Sequence, residues 1–300
     1  MSDVLKLKGF SFDRLETFIQ VARLGSMSQA AKATGMQVPH ISKHISDLER
    51  VFGVVLFDGR GRHTKLSEAG ERLLSLARLP EEALKEFHSW CADRPAELRI
   101  GAGESVLQWI VFPRLAELQR KLPKTNFVFL NLKSSEIATK LSRGELDLGI
   151  LHDEAAGERL ERQSIGSMEF RLFVPRKLLA ASGERAPKGE ILRTLPLALL
   201  EGSGRYRRVI DQFFCKRRLP LEANIFCSSL TQLSAVLQAQ THGAFLPVAV
   251  AGSLPEEHFM ALDHPLARLL KLKLILAWNQ RTATVKPSID QVRSLFTTGS

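Results

Sequence analysis

The sequence predicts an α-helical winged helix-turn-helix unit over residues 1–66, a connecting helix over residues 67–95 and an α/β domain of two lobes over residues 96–300. Three observations lead to this fold class. Three hundred residues exceed what a single hydrophobic core usually supports. Apolar residues recur at helical spacing through the first ninety positions. After them, strand-like and helix-like segments alternate, as in α/β domains.

The composition is that of a globular protein, with 44% hydrophobic and 25% charged residues. No run reaches the roughly 18 apolar residues of a membrane span, and the first thirteen residues lack the apolar centre of a secretion signal. We therefore expect a cytoplasmic chain that has no membrane partner. The three cysteines are odd in number and widely spaced, which predicts neither a disulfide framework nor a cysteine zinc site.

The net charge of +10 suits a nucleic-acid partner. Its distribution limits that argument, because residues 1–95 carry 14 Lys and Arg against 12 Asp and Glu. Most of the excess therefore lies after the predicted helix-turn-helix unit. The placement of individual charges must decide which surface meets a nucleic acid.

The first two helices are predicted from capping residues and apolar spacing. Asp13 and Glu16 favour the start of a first helix, which ends near Gly25. Ser28 is expected to cap a short second helix that runs to residue 33. The side chains expected to bury one face of the first helix are Leu15, Phe18, Ile19 and Ala22.

A third helix is predicted to start near Val38, because Pro39 suits a first turn whose amides have no partner. Its buried face consists of Ile41, Ile45 and Leu48. Two helices joined by a short turn that contains glycine form the helix-turn-helix pattern, in which the later helix enters the major groove of DNA.

A hairpin is predicted next, with strands at Gly53–Phe57 and Thr64–Leu66. Its tip is rich in glycine and arginine. Arg60 and Arg62 suit phosphates or a narrow minor groove. An ordinary solvated turn is the alternative.

Five segments of this region follow one another at a characteristic spacing, namely Phe18–Ala22, Gly25–Ala31, Pro39–Glu49, Gly53–Phe57 and Leu66–Gly70. In order and spacing they resemble the DNA-binding domain of LysR-type transcriptional regulators. The resemblance implies that the second and third helices and the wing contact DNA. The implied DNA-binding residues are Ser28, Gln37, Val38, Pro39, Ser42, Lys43, Arg60 and Arg62.

The third helix departs from the family pattern at its start. Gln37 and Val38 stand where the family usually has Ser-Gln, a helix cap followed by a base-reading side chain. His40 replaces a small residue, and Gly59 replaces an arginine whose place Arg60 could take. The operator sequence therefore does not follow by analogy. His40 and His44 are spaced like metal ligands, but no third ligand accompanies them, and a DNA-facing or solvated role explains both.

The connecting helix is expected to start at Ser67 and to carry an apolar seam. In the family, this helix pairs with that of a partner. The alternative is that the seam packs on its own chain. Pro80 is expected to kink or split the helix. The residues assigned to dimerisation are Leu73, Leu76, Leu84 and Phe87.

After residue 96 the sequence predicts strands and helices in alternation, which implies parallel strands with helical crossovers. The predicted strands are Leu98–Ala102, Asn126–Leu132, Leu146–Leu151, Phe170–Val174, Leu195–Leu200, Ala223–Cys227, Ala244–Pro247 and Leu269–Trp278. The predicted helices are Val106–Lys121, Ser135–Arg143, Arg205–Arg218, Ser229–Thr241 and Pro287–Phe296. We expect the first lobe to comprise residues 96–163 and 265–300, and the second to comprise residues 164–264.

This part resembles the LysR-type effector domain, which has the fold of periplasmic substrate-binding proteins. The resemblance implies a small organic effector between the lobes. Gln240 and His242 stand where glycines are usual, so part of the pocket is expected to differ. The resemblance is carried by Leu98–Gly101, Phe112–Leu115, Gly144–Ile150 and Leu246–Pro247.

The resemblance implies that the effector site lies where strands lead into helices, and the helix N-termini there favour an anion such as a carboxylate. The carboxylate of Glu104 would repel a purely anionic ligand. A ligand that also carries an amine or a hydroxyl would be compatible with both features. The alternative is that each serine only caps its own helix. Arg205 could attract an anion or simply begin a solvated helix. The residues assigned to the effector are Glu104, Ser105, Gly202, Ser203, Ser228 and Ser229.

The function predicted is that of a LysR-type regulator that binds a double-stranded DNA operator as a homodimer or homotetramer and responds to the effector. No catalytic, cofactor or metal motif is found, so we expect no enzyme. A regulator that has lost effector sensing is one alternative. A solute-binding protein is another, although it would need a secretion signal and would lack the first ninety residues.

Overall fold

The computed structural model describes residues 9–58, 64–157, 160–181, 191–221 and 223–296. The N-terminal unit contains three helices, α1 (Phe12–Leu24), α2 (Met27–Thr34) and α3 (Val38–Phe52), and two short strands, β1 (Phe57–Asp58) and β2 (Lys65–Leu66). The two strands form an antiparallel hairpin. Phe18, Ile41 and Leu48 are fully buried in the core that the three helices share.

The caps of the first two helices differ from the prediction. The Ser11 hydroxyl accepts a hydrogen bond from the Arg14 amide and caps α1, whereas Asp13 lies inside the first turn. Ser26 caps α2, and Ser28 is an exposed residue of that helix. In both cases the extended residue that a cap requires comes two positions earlier than predicted. The first wing strand is also shorter than predicted and includes only Phe57 of the Gly53–Phe57 segment.

The connecting helix, α4 (Glu68–Cys91), is one continuous helix of 24 residues capped by Ser67. Of the two effects predicted for Pro80, the split is therefore wrong, and the kink stays a prediction. Proline cannot donate to the carbonyl of Leu76, one turn earlier. Both residues lie on the exposed side of the helix, where water is available to hydrogen-bond that carbonyl, and the helix continues past Pro80.

After α4, strands and helices alternate from Ala96 onward. Its strands are β3 (Ala96–Ala102), β4 (Thr125–Asn131), β5 (Leu148–His152), β6 (Glu161–Met168), β7 (Phe170–Pro175), β8 (Leu197–Leu200), β9 (Ala223–Cys227), β10 (Ala244–Pro247), β11 (Phe259–Leu262) and β12 (Leu272–Trp278). Its α-helices are α5 (Glu104–Val106), α6 (Leu115–Lys121), α7 (Ser134–Ser142), α8 (Arg176–Ala181), α9 (Arg205–Arg217), α10 (Leu230–Gln238), α11 (Pro265–Leu269), α12 (Gln280–Val285) and α13 (Ser288–Arg293).

Lobe I contains a five-stranded sheet of order β4-β3-β5-β12-β6. β3 is parallel to β4 and β5, as predicted, but β12 is antiparallel to both of its neighbours. A π-helical turn and a 3-10 turn connect α5 to α6, so residues 104–121 form one irregular helical segment along the sheet.

Lobe II contains the antiparallel sheet β10-β7-β11 and the parallel pair β8-β9. The chain crosses from lobe I to lobe II between β6 and β7, and returns between β11 and β12. β6 and β11 had not been predicted. The predicted strand Leu269–Trp278 starts three residues late, because Pro265 opens a short helix that the His264 side chain caps.

Candidate functional site

The exposed side of α3 is the first candidate surface. Ile41, Ile45 and Leu48 are buried, so the opposite side of this helix faces outward. Pro39, Lys43 and Arg50 lie on that side and are exposed. Gln37 precedes the helix, and its side chain makes no cap hydrogen bond, in line with the departure seen in the sequence. Gln37 and Val38 are exposed, and Ser42 is half-buried.

A buried carboxylate fixes the outer face of α3 to α1. Asp47 accepts a hydrogen bond from Arg14 Nε at 3.2 Å and is ion-paired with Arg50. Because Asp47 is buried, its contacts anchor both cations. Sequence reasoning missed Arg50, although it lies seven residues after Lys43 and therefore on the same helical face.

The two histidines of α3 have different environments. His44 Nδ1 lies 2.9 Å from the hydroxyl of buried Thr17. Burial, followed by the charge of Arg14, lowers the pKa of His44. His40 is exposed. Among the described residues, no group of three or more His, Cys, Asp or Glu side chains is arranged to hold a metal ion. Arg60 and Arg62 lie outside the described residues.

The open side of α4 is the second candidate surface. Leu73 is half-buried against the core of the N-terminal unit. By contrast, Leu76, Leu84, Phe87 and Trp90 are 44%, 60%, 61% and 78% exposed. The rings of Phe87 and Trp90 stack with centroids 6.0 Å apart. An exposed apolar stripe of this size is unusual for a surface that faces water alone.

The meeting point of the two lobes is the third candidate site. α5, which contains Glu104 and Ser105, contacts α10 of lobe II. Trp109, in the next turn, packs against the apolar cluster of lobe II. Glu104 and Ser105 are half-buried at this junction. Two predicted effector residues therefore lie where the lobes touch.

The serines of lobe II are engaged with their own helix. Ser229 caps α10 by accepting from the Gln232 amide at 3.3 Å. Both the amide and the hydroxyl of Ser228 lie 3.0 Å from Gln232 Oε1. Gly202 and Ser203 are exposed in the turn after β8, and the Ser203 carbonyl accepts from Arg208. Thus the capping role that was the alternative for these serines applies to Ser229.

His152 of lobe I and Arg205 of lobe II influence each other electrostatically, and sequence reasoning did not pair them. His152 ends β5, and its ring Nδ1 is buried without a hydrogen-bond partner. Burial, and then the charge of Arg205, lowers the pKa of its imidazole. Arg205 opens α9 and lies 3.4–3.5 Å from the carbonyls of Leu269 and Leu270. Its place in the sequence could have indicated His152, because it directly follows a predicted apolar strand, and the carboxyl end of that strand meets the cleft.

The substituted residues near β10 are accommodated locally. Gln240 adopts the left-handed conformation, with φ of +58°, which glycine normally favours. His242 is buried, and its Nε2 lies 2.6 Å from Asn224 Oδ1. The two side chains therefore change the turn before β10, while β10 still pairs with β7.

A helix-turn-helix unit with an exposed third helix, joined by one long helix to a two-lobed α/β domain, defines a class of proteins, the DNA-binding transcriptional regulators. Family comparison gives the particular family. Residues 12–71 match the family model described as bacterial regulatory helix-turn-helix protein, lysR family. Residues 92–296 match the LysR substrate binding domain. The chain belongs to the LysR family, and the predicted family and fold class are confirmed.

Known relatives agree with this membership. The chain is 27% identical over 253 residues to a probable RuBisCO transcriptional regulator of Cyanophora paradoxa, covering 80% of this chain and 77% of the relative. It resembles full-length LysG of Corynebacterium glutamicum with bound effector Arg (TM-score 0.65, 17% identity, coverage 95% and 99%). It also resembles Vibrio fischeri DarR in complex with DNA (TM-score 0.56, 16% identity, coverage 96% and 99%). These proteins are regulators rather than enzymes.

No helix within the described ranges is both long enough and apolar enough to cross a membrane.

Proposed function

We propose that this regulator binds operator DNA through the outer face of α3, assembles through α4 and senses a small anionic effector between its lobes. The observation that carries the DNA-binding part is the exposed side of α3, where a cation, a proline and the first turn of the helix are all accessible. Its relative DarR has been seen in complex with DNA. The same docking is expected here, with α3 in the major groove.

Lys43→Ala is expected to weaken binding to all DNA sequences, because the ammonium neutralises a phosphate rather than reading a base. The slope of log affinity against log salt should fall by about one. Fluorescence anisotropy with a labelled random duplex measures both effects. Lys216→Ala removes an exposed cation of lobe II and is the matched control, for which no change is expected.

Gln37 and Val38 are expected to influence base preference instead, and selection from a randomised duplex library with Val38→Ala would reveal it. An unchanged salt slope for Lys43→Ala, together with an unchanged selected sequence for Val38→Ala, would place the DNA elsewhere on the protein.

The apolar stripe of α4 supports assembly with a second copy. Leu84→Glu combined with Phe87→Glu is expected to dissociate the assembly, since two carboxylates would be buried in the interface. Light scattering should then report the 33.5 kDa mass of one chain. Arg72→Glu changes an exposed residue of the same helix and should leave the mass unchanged. A folded double variant with the wild-type mass would contradict this interface.

The proposed effector pocket includes Ser105, His152 and the region around Arg205. The unpartnered Nδ1 of His152 supports a ligand there, because buried polar atoms are rarely left without a partner. An anionic group of the ligand would lie near the guanidinium of Arg205 and would favour the protonated form of His152. The structurally similar LysG carries a bound effector Arg. An amino acid of this kind has an amine that suits the carboxylate of Glu104 and an acid group that suits protonated His152.

Binding of such an effector is expected to be tighter at pH 6 than at pH 8. In the free protein the pKa of His152 is lowered, so the imidazole is neutral near pH 7. A bound anion favours the protonated ring, and binding therefore takes up a proton. Amino acids and small carboxylic acids can be screened by thermal shift and then titrated by calorimetry in two buffers of different ionisation enthalpy.

His152→Gln retains a hydrogen-bonding group but does not titrate, so its binding should lose the pH dependence. Ser105→Ala should weaken the response of DNA binding to the ligand and leave ligand-free DNA binding intact. Proton uptake that persists in His152→Gln would exclude His152 as the site of that proton. A chain that binds none of these ligands would correspond to a regulator without effector sensing.

A further inference from the structure

The long helix α4 contacts lobe I of its own chain through charged side chains. Three of them, Glu71, Arg78 and Glu82, form what we call the charged stripe. At 3.6 residues per turn, these positions lie within about 40° of each other around the helix. The apolar stripe of Leu84 and Phe87 lies on the opposite side. The helix therefore presents one face to its own effector domain and another away from it.

Each member of the charged stripe has an opposite charge on lobe I. Arg143 Nε donates to Glu71 at 3.0 Å, and a second guanidinium nitrogen completes a two-point contact. Arg78 lies 3.6 Å from Glu145. Glu82 lies 3.0 Å from Lys286 Nζ.

Two of the lobe I partners, Arg143 and Glu145, flank a turn at Gly144. Its φ of +68° is a conformation that favours glycine. The aliphatic part of Arg78 passes over this turn, with its Cδ 3.6 Å from the position that a Cβ of Gly144 would take. The turn thereby presents the two side chains to one face of α4.

The buried apolar contacts of α4 are made to the N-terminal unit, whereas these ion pairs are made to lobe I. The buried cluster that includes Leu74 and Ala77 of α4 contains residues of the N-terminal unit and none of lobe I. Among the described residues, the three clusters of the effector domain contain no residue of α4. Arg78 Nε is also buried without a partner, so this contact is incompletely satisfied. When such a contact opens, both charges regain their water, which offsets the lost attraction, so it can open at a lower cost than a packed apolar core.

We propose that the charged stripe is a releasable latch that sets the position of lobe I on the linker helix of its own chain. Opening it frees the effector domain from α4 while both hydrophobic cores stay intact. Closing it returns lobe I to the position described here. The latch is independent of which ligand occupies the cleft and of which bases α3 reads.

The distance between the two units reports the state of the latch. Spin labels can be attached at Lys32→Cys in α2 and Arg120→Cys in α6, after Cys91 and Cys215, the two exposed cysteines, are replaced by serine. Dilution with unlabelled protein removes distances between protomers. Pulsed dipolar spectroscopy of the full chain should give one narrow distance for the otherwise wild-type sequence.

Glu71→Arg places two cations opposite each other and is expected to shift the distribution to longer distances. Adding Arg143→Glu restores the pair with reversed signs and should restore the original distance. Arg72→Glu reverses the charge of the next residue and should change nothing. High salt screens the half-exposed Glu71–Arg143 pair and should lengthen the distance in the wild-type sequence without any substitution.

The proposal is overturned if Glu71→Arg keeps the original distance, or if the reversed pair fails to restore it. If Glu71→Arg does not fold, the salt titration decides alone, and a distance that is unchanged by salt then overturns the latch.

Discussion

Replacing Gly70 with alanine is expected to abolish DNA binding. A Cβ at this position of α4 would lie 2.1 Å from the carbonyl oxygen of Leu56 and 2.9 Å from Leu66 Cδ2. Real atoms do not approach so closely, so either the helix or the segment before the wing must move. Neither can move easily, because hydrogen bonds hold the segments on both sides of this contact.

The segment around Leu56 is held by hydrogen bonds to two helices. The Leu56 amide donates to Glu49 of α3 at 2.9 Å, and its carbonyl accepts from the Ser67 amide at 3.0 Å. The Ser67 hydroxyl donates to the Val55 carbonyl at 2.6 Å. Displacing this segment breaks contacts that position α3, β1 and the start of α4 together.

Gly70→Ala is expected to lower the free energy of unfolding by about 3 kcal/mol. This is the upper end of the usual range for overpacking, because the new Cβ clashes with a backbone atom rather than with a side chain. In a unit of this size the melting temperature should fall by roughly 12–24 °C. Differential scanning calorimetry measures the loss, and anisotropy with labelled duplex measures DNA binding.

Gly252→Ala serves as the control, because a Cβ there meets no atom within 4 Å. It should change neither measurement. Normal DNA affinity in Gly70→Ala would show that the wing can shift without disturbing α3.

Lys286→Met is expected to destabilise the effector domain by about 3–5 kcal/mol, the usual cost of leaving one partner of a buried ion pair alone. The side chains of Lys286 and Asp147 are only 7% and 5% exposed, and Nζ lies 3.0 Å from Oδ1. Burial disfavours the Lys286 ammonium, but Asp147 and Glu82 outweigh it and raise its pKa. Without the lysine, Asp147 keeps one hydrogen bond, from the Arg99 amide at 2.7 Å.

The loss of stability caused by Lys286→Met should be smaller at pH 5 than at pH 8. Burial raises the pKa of Asp147 even with Lys286 in place. Without the lysine, which lowers this pKa, the rise is larger, so the folded variant binds a proton more readily than the unfolded chain and regains stability as the pH falls. Denaturant unfolding at several pH values measures this trend. Lys286→Met combined with Asp147→Asn removes the unpaired charge and should recover part of the stability. A single variant as stable as wild type at pH 8 would contradict the assigned role of this pair.

Local patterns in the sequence were sufficient for much of the fold. β9 and β10 have the residues that were predicted, because each is a short β-prone segment bounded by turn or cap residues. β6 escaped prediction because its residues 161–168 are mostly polar and show no alternation. It lies at the edge of the sheet, where one neighbour and an exposed face demand little apolar character.

The sites show the same division between local and distant information. The exposed face of α3 could be predicted from the spacing of apolar residues within one helix. The resemblance of this helix to known DNA-binding helices likewise depends on residues that are close together in the sequence. Lys286 and Asp147 are 139 positions apart, and His152 and Arg205 belong to different lobes. No periodic pattern links such residues, since only the crossings between lobes bring them together. Single-sequence reasoning therefore proposed surfaces that lie within one helix but did not bring these distant residues together.

The separation of the buried clusters also affects how the chain unfolds. Cooperative unfolding requires that the loss of one part removes contacts on which another part depends. The N-terminal core includes residues of α4 only as far as Ala77, and the buried clusters of the effector domain begin at Leu98. Among the described residues, the two parts share ion pairs but no apolar cluster, so we expect a denaturation curve of the whole chain to be a sum of transitions rather than one two-state event.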